Sequence, residues 1–310
     1  MIKKIVFFNH FHRGDLHTHK EFVRQIMEEV KNVEYEYLHN NPEKLIIDLG
    51  IKTTGSPDFL DRKNALYKEV DTVYINTWVG SQWDVFCKHG GINMHTLYEQ
   101  WSKIFNAINK LTGSNLKLRE DKESYLPRMD YSHFNLDGVK NYLEQTTDKT
   151  KVLLCNNVPN SSQSFQEPID DLIIEFAEAN PDIDIICTDE VDTDLENIKY
   201  TDQIIGNSEG CDLQEISYLS THCNVIIGKN SGPFVFCETY DNYMDENKHF
   251  YSFNAKHPDY DDIKETMSNG LNIKCSYKTN SISNVLNLSN EDKEKIRNVF
   301  NEVASLYEKA

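Results

Sequence analysis

The chain has 310 residues, 39% hydrophobic and 11% aromatic, enough for two domain-sized cores. Fifty acidic residues against 32 basic ones give a net charge of −18, which repels nucleic-acid phosphates, and no long Lys/Arg run offsets it. No stretch approaches the ~18 consecutive apolar residues of a membrane span. The seven cysteines are scattered without a Cys-x-x-Cys pair, the pattern of reduced thiols. The expectation is a cytoplasmic protein with at most peripheral membrane contact and no nucleic-acid partner.

The N-terminal apolar run is too short for a signal peptide and is followed by His-Phe-His-Arg, so residues 3–8 read as a first buried strand. Residues 10–15 form a polar loop. A helix is expected over 16–30, where Phe22, Ile26 and Val30 share a face. Strands follow at 33–38 and 71–76, separated by a turn-rich stretch. A helix over 95–111 has Leu97, Trp101, Ile104, Phe105 and Ile108 at helical spacing. Residues 113–149 are polar and read as a linker with a short helix near 136–143.

The second half alternates more regularly. Strands are expected at 151–155, 183–187, within 198–205, at 224–228 and at 249–253. Helices are expected at 168–179, 212–223 and 233–240, with a last helix to Tyr307 capped by Ser289. Such alternation argues for parallel sheets covered by helices. The fold class is therefore α/β: two Rossmann-like, doubly wound domains facing a cleft, 1–148 and 149–310, with a closing C-terminal helix. Ligands of open α/β sheets bind beyond the carboxyl ends of strands, which is where the loops 10–15 and 228–232 fall.

The second loop is the most informative. The run Val225-Ile226-Ile227 ends in Gly228-Lys229-Asn230-Ser231-Gly232, and Pro233 opens the next helix. Strand, small-residue turn and helix start make either a structural corner or a cradle for phosphate.

Three patterns together resemble the GT-B glycosyltransferases, within them the heptosyltransferase-like group of glycosyltransferase family 9. They are Phe8-Asn9-His10-Phe11-His12-Arg13-Gly14-Asp15-Leu16, Asp212-Leu213-Gln214-Glu215-Ile216-Ser217-Tyr218-Leu219, and Ile226-Ile227-Gly228-Lys229-Asn230-Ser231-Gly232-Pro233. The last is similar to the family's Asp-Ser-Gly-Pro donor loop, with Asn230 in place of Asp and Val235 in place of His. The loop 156–164 lacks the basic residue often found near the donor phosphates. The resemblance implies an inverting, metal-independent glycosyltransferase with no cofactor beyond its nucleotide-diphosphate sugar, and a glycan or glycolipid acceptor. It implies Asp15 as general base; capping of a helix opened at Leu16 is the other reading of that residue.

The donor would rest on Gly14, Lys229, Asn230, Ser231, Gly232 and Pro233, with Asn156, Asn157, Ser161 and Ser162 on the opposing loop. Glu238 is a candidate for the ribose hydroxyls, or else a solvated helix carboxylate. His12, His17, Asn76 and Trp78 are candidate acceptor contacts; Trp78 and Trp83 would either stack on a sugar or pack in the core. Two other functions fit some of the residues. His10 and His12 imitate the His-x-His of metal-dependent amidohydrolases, and the departures at Asn230 and Val235 suit a non-catalytic nucleotide or sugar binder.

Overall fold

The computed structural model describes residues 2–158, 164–206, 211–255, 267–283 and 286–307. The chain divides into two compact units, Met1–His133 with Lys264–Asn272, and Phe134–Ile263 with Ile273–Ala310. The polar stretch after residue 113 is accordingly shared between them.

In the first unit β1 (Lys4–Asn9) leads into α1 (Arg13–Thr18) and α2 (Lys20–Glu29). The expected single helix over 16–30 is thus two helices, and the first starts three residues early. His19 is the break: it ends α1 and precedes α2, and its Nδ1 accepts a 2.7 Å hydrogen bond from Trp101 Nε1. Next come β2 (Glu34–His39), a 3-10 turn (Glu43–Leu49), β3 (Lys52–Thr53), β4 (Leu66–Glu69) and β5 (Thr72–Asn76). A 3-10 turn (Val79–Gln82) then enters α3 (Trp83–His89) and α4 (Met94–Thr112). The sheet order is β3-β2-β1-β5-β4, parallel except for β4 against β5.

The central strand β1 is buried because both of its faces are apolar. Tyr35 of β2 reaches α2, donating to the Ile26 and Val30 carbonyls at 3.0 and 2.5 Å. Phe22 of α2 stacks on Trp101 of α4 and on Tyr125. Tyr125 is itself fully buried, so the polar stretch that contains it is anchored. Lys20 and Asp48, 2.8 Å apart with no exposed side-chain surface, tie α2 to the first 3-10 turn. The other face carries Val6, Phe8 and Leu38 under Leu60, with Tyr67 and Tyr74 alongside.

The second unit opens with α5 (Asp137–Gln145), β6 (Thr150–Cys155), α6 (Asp170–Ala179), β7 (Ile183–Cys187) and β8 (Ile198–Tyr200). The strand expected within 198–205 is β8, and the rest of that stretch forms α7 (Thr201–Ile205). The helix lies so close to α5 that a Cβ on Gly138 would meet the Ile204 oxygen at 2.3 Å. The unit continues through α8 (Leu213–Ser220), β9 (Val225–Lys229), α9 (Gly232–Cys237), α10 (Tyr240–Tyr243), β10 (His249–Ala255), β11 (Ser276–Ile282) and α11 (Asn290–Tyr307). All six strands are parallel, in the order β11-β10-β9-β6-β7-β8.

On one face of this sheet α6 and α11 bury Ile173, Phe176, Ile296, Phe300 and Val303. Each such side chain contributes about 1.5–3 kcal/mol relative to exposure. On the other face Phe234, Tyr243 and Phe250 meet edge to face. Ser289 caps α11 as expected: its Oγ accepts from the Asp292 amide at 3.1 Å, and Asp292 reaches back to the Ser289 amide at 3.4 Å. Lys248 closes the end of α8 by donating to the carbonyls of Ser220, Thr221 and Cys223.

Candidate functional site

In each sheet the chain winds outward from its first strand on one side and returns on the other. The strand order therefore reverses between β1 and β5 in the first unit and between β6 and β9 in the second. A crevice opens beyond the strand ends at such a point.

In the second unit, the turn after β9 and residues 156–158 after β6 lie at this switch point. Gly228 is required by packing: a Cβ there would fall 2.5 Å from Cys155 Cβ and 2.9 Å from Phe234. Beyond it Asn230 gives its amide to the Phe253 carbonyl at 3.4 Å. Ser231 precedes α9 with an extended backbone and makes no side-chain cap, and Pro233 lies in the first turn. The Ser231 hydroxyl instead crosses to Asn157 Oδ1 at 3.4 Å, and Thr188 Oγ1 donates to the same oxygen at 3.2 Å. A Cβ on Gly232 would touch only Leu213, at 3.7 Å. The amides of Ser231 and Gly232 head a helix turn, where intrahelical partners are lacking. The helix has only six residues, so turn amides, more than a long helix dipole, would face an anion.

Other expected donor contacts have different places. Asn156 is buried and joins two strand ends, donating to the Asp189 carbonyl at 3.1 Å and accepting from the Asp189 amide at 2.9 Å. Both its side-chain oxygen and its nitrogen are engaged in holding the strand ends together. Lys229 is also buried; alternation along β9 turns it away from the side of Gly228. Its ammonium lies 4.4 Å from the Phe165 ring centre and donates to the Glu167 carbonyl at 3.2 Å. Burial lowers its pKa to about 8, against the pull of Asp170, Asp189 and Glu167. Glu238 is not a solvated helix carboxylate. It is buried at the end of α9, accepts at Oε1 from Tyr243 (2.7 Å) and Tyr277 (3.0 Å), and burial raises its pKa to about 7 despite both donors. Ser161 and Ser162 lie outside the described residues.

In the first unit, β1 and β5 end in matching turns. Asn9 Oδ1 accepts from the Phe11 amide at 2.8 Å, and Asn76 Oδ1 accepts from the Trp78 amide at 2.9 Å. Asn76 also donates to the Arg62 carbonyl at 3.1 Å, so it shapes the loop instead of reaching an acceptor. The turns bring Phe11 and Trp78 together with ring centres 4.3 Å apart. A Cβ on Gly80 would fall 2.2 Å from Trp78 Cζ2, so the Gly80 backbone also lies against the indole. Of the two readings of Trp78, stacking on a sugar or packing, the contacts with Phe11 and Gly80 show packing that joins two loops.

Asp15 lies in the first turn of α1. The residue preceding that helix is His12, which corrects the expectation that Asp15 caps a helix opened at Leu16. The carboxylate is buried and takes a hydrogen bond from the His12 backbone; desolvation outweighs this and raises its pKa to about 7. Gly14 is half-buried beside it, and His12 is exposed. His17 has no exposed surface and so packs within the unit instead of facing an acceptor. His19 is buried as well, and desolvation drives its pKa down to about 3. His10 meets the edge of Phe8 at 5.5 Å. The barrel on which an amidohydrolase His-x-His pair would sit is absent, since each described sheet is open.

Comparison with solved structures decides the architecture. An E. coli heptosyltransferase WaaC with ADP superposes with a TM-score of 0.51, covering 97% of this chain and 98% of that one at 10% identity. The chain has the GT-B glycosyltransferase fold. WaaC with ADP-2-deoxy-2-fluoro heptose gives the same score, with 96% and 99% coverage at 9% identity. A glycosyl transferase family 9 structure from Veillonella parvula covers 96% of this chain and 92% of that one, with a TM-score of 0.45 and 10% identity. No family model and no curated protein matches the sequence. Among the described residues no helix is long and apolar enough to cross a membrane.

Sequence reasoning missed Thr188, Phe11, Tyr243 and Tyr277. The last two are ordinary aromatic residues until β11 and α10 place both hydroxyls on Glu238. Phe11 had a legible signal, an Asn two residues before it at a strand end.

Proposed function

We propose that the protein is a glycosyltransferase that moves a sugar from a nucleotide-diphosphate donor to a glycan or glycolipid acceptor. The observation that carries this reading is the Gly228–Pro233 turn at the β6/β9 switch point, with Asn157 across from Ser231. The diphosphate would be held by the turn amides of Ser231 and Gly232 and by the side chains of Asn157 and Ser231. Lys229 would supply positive charge from behind the turn, since a pKa of about 8 leaves it mostly protonated at neutral pH. Heptosyltransferase WaaC, whose fold this chain shares, has been solved with ADP and with an ADP-heptose analogue.

Asp15 would be the general base that takes the acceptor hydroxyl proton as the acceptor oxygen displaces the nucleoside diphosphate from the anomeric carbon with inversion. A base works best when its pKa lies near working pH, and burial sets Asp15 at about 7. The turn amides and Lys229 would stabilise the departing diphosphate without a metal. The test is transfer or hydrolysis with a panel of nucleotide sugars. One donor should turn over, and Asp15→Asn should abolish transfer to acceptor while leaving donor binding intact. Unchanged kcat in Asp15→Asn would remove Asp15 from the mechanism. Nucleotide-sugar binding without turnover would favour the non-catalytic binder.

A further inference from the structure

The tryptophans of the first unit have distinct environments. Trp101 is fully buried and bonded to His19, and Trp78 is packed by Phe11 and Gly80. Trp83 is 58% exposed. It opens α3 on the segment that leaves the end of β5, just past the switch-point turn. Its ring lies beside that of Phe86, one helical turn on, with centres 4.9 Å apart and planes within 14°. In this offset stack Phe86 backs the indole, and the exposed part of Trp83 offers a flat apolar surface. The backing is firm. Gln100 donates to the Val79 carbonyl at 2.8 Å, pinning the preceding 3-10 turn to α4, and Val85 is buried beneath.

The charged side chains of α3 and the facing part of α4 are balanced in pairs. Asp84 and Lys103 approach to 3.5 Å, both largely exposed, and Glu99 receives Lys88 at 2.6 Å and His89 at 2.8 Å. With its cations paired, on a chain of net charge −18, this surface does not attract anionic lipid or nucleic acid. A pyranose has the complementary form: C–H groups on a flat face, with hydroxyls around the edge for donors and acceptors such as Asp84 and Lys103.

We propose that Trp83, backed by Phe86, forms a carbohydrate-stacking subsite for a neutral sugar ring of the acceptor chain, next to the ring that receives the transfer. This rests on the glycosyltransferase reading. It is tested on the full chain by NMR of the tryptophan indole N–H signals, titrated with neutral oligosaccharides of several linkages, with phosphatidylcholine/phosphatidylglycerol vesicles, and with nucleoside diphosphates. An oligosaccharide should move the Trp83 signal and leave that of buried Trp101 in place. Trp83→Ala should weaken this binding about tenfold, the size of one good aromatic contact, and Trp83→Phe should largely restore it. A Trp83 signal that responds to no oligosaccharide, only to vesicles, or only to protein concentration overturns the subsite. If nucleoside diphosphates still bind in that sample, the proposed function stands and the subsite alone falls. If neither ligand class binds, both fall.

Discussion

The two switch points share a topology and differ in chemistry. At β1/β5 large rings fill the strand ends: Phe11 packs on Trp78, held by paired Asn turns, and a carboxylate is buried nearby in α1. At β6/β9 the strand ends carry Gly228, Asn157 and Ser231, small and polar. One point is filled by aromatic packing; the other is lined by small polar groups. The same winding rule thus supplies two positions, and side-chain size and polarity set them apart.

The sharpest way to break this contrast is Asp15→Asn. As the proposed base, its loss should lower kcat by about 10²–10⁴-fold. The same change should stabilise the fold. Asp15 has a folded pKa of about 7, against an unfolded value of 3.8. Between these values the folded state binds more protons, so stability falls as pH rises through this window and the penalty is complete above it. At pH 8 Asp15→Asn should therefore gain on the order of a few kcal/mol in denaturant unfolding. Equal loss of activity and stability would mark Asp15 as structural.

Next in size is Gly228→Ala. Its Cβ would be forced against Cys155 in the sheet, and such overpacking costs about 1–3 kcal/mol or more. Gly232→Ala, with only Leu213 at 3.7 Å, should unfold within about 1 kcal/mol of the parent. Equal thermal midpoints for the two variants would contradict the packing described for β9 and β6. A smaller effect is expected at Glu238, whose pKa burial raises from 4.5 to about 7. Its contribution has the same sign as that of Asp15, with stability lost as pH rises between those values. Glu238→Gln should flatten that part of the pH–stability curve while keeping an oxygen for both tyrosines.

Much of the fold was legible because its strands are continuous apolar runs and its long helices have clean stripes. Leu97, Trp101, Ile104, Phe105 and Ile108 of α4 are all buried, as their spacing required. Strand β11, Ser276–Ile282, escaped notice because it is a mostly polar strand at the sheet edge. The α1–α2 break was hidden because it depends on a hydrogen bond from Trp101, 82 residues away. At the site, the turn at Gly228 was visible in its small residues. The inward course of Lys229, the tyrosine donors to Glu238 and the packing of Trp78 were not. Each depends on which way a side chain points once distant strands have paired.

The central claim is that the β6/β9 turn holds a nucleoside diphosphate. Backbone amide NMR of the full chain, titrated separately with ADP, UDP, GDP and CDP, tests it most directly. One of these nucleotides should move the Ser231 and Gly232 amides together with the Asn157 side-chain amide, leaving Gly138 in place. If none perturbs Ser231 and Gly232, or if the shifts fall elsewhere, the β6/β9 turn is a structural corner and the proposed donor site is wrong.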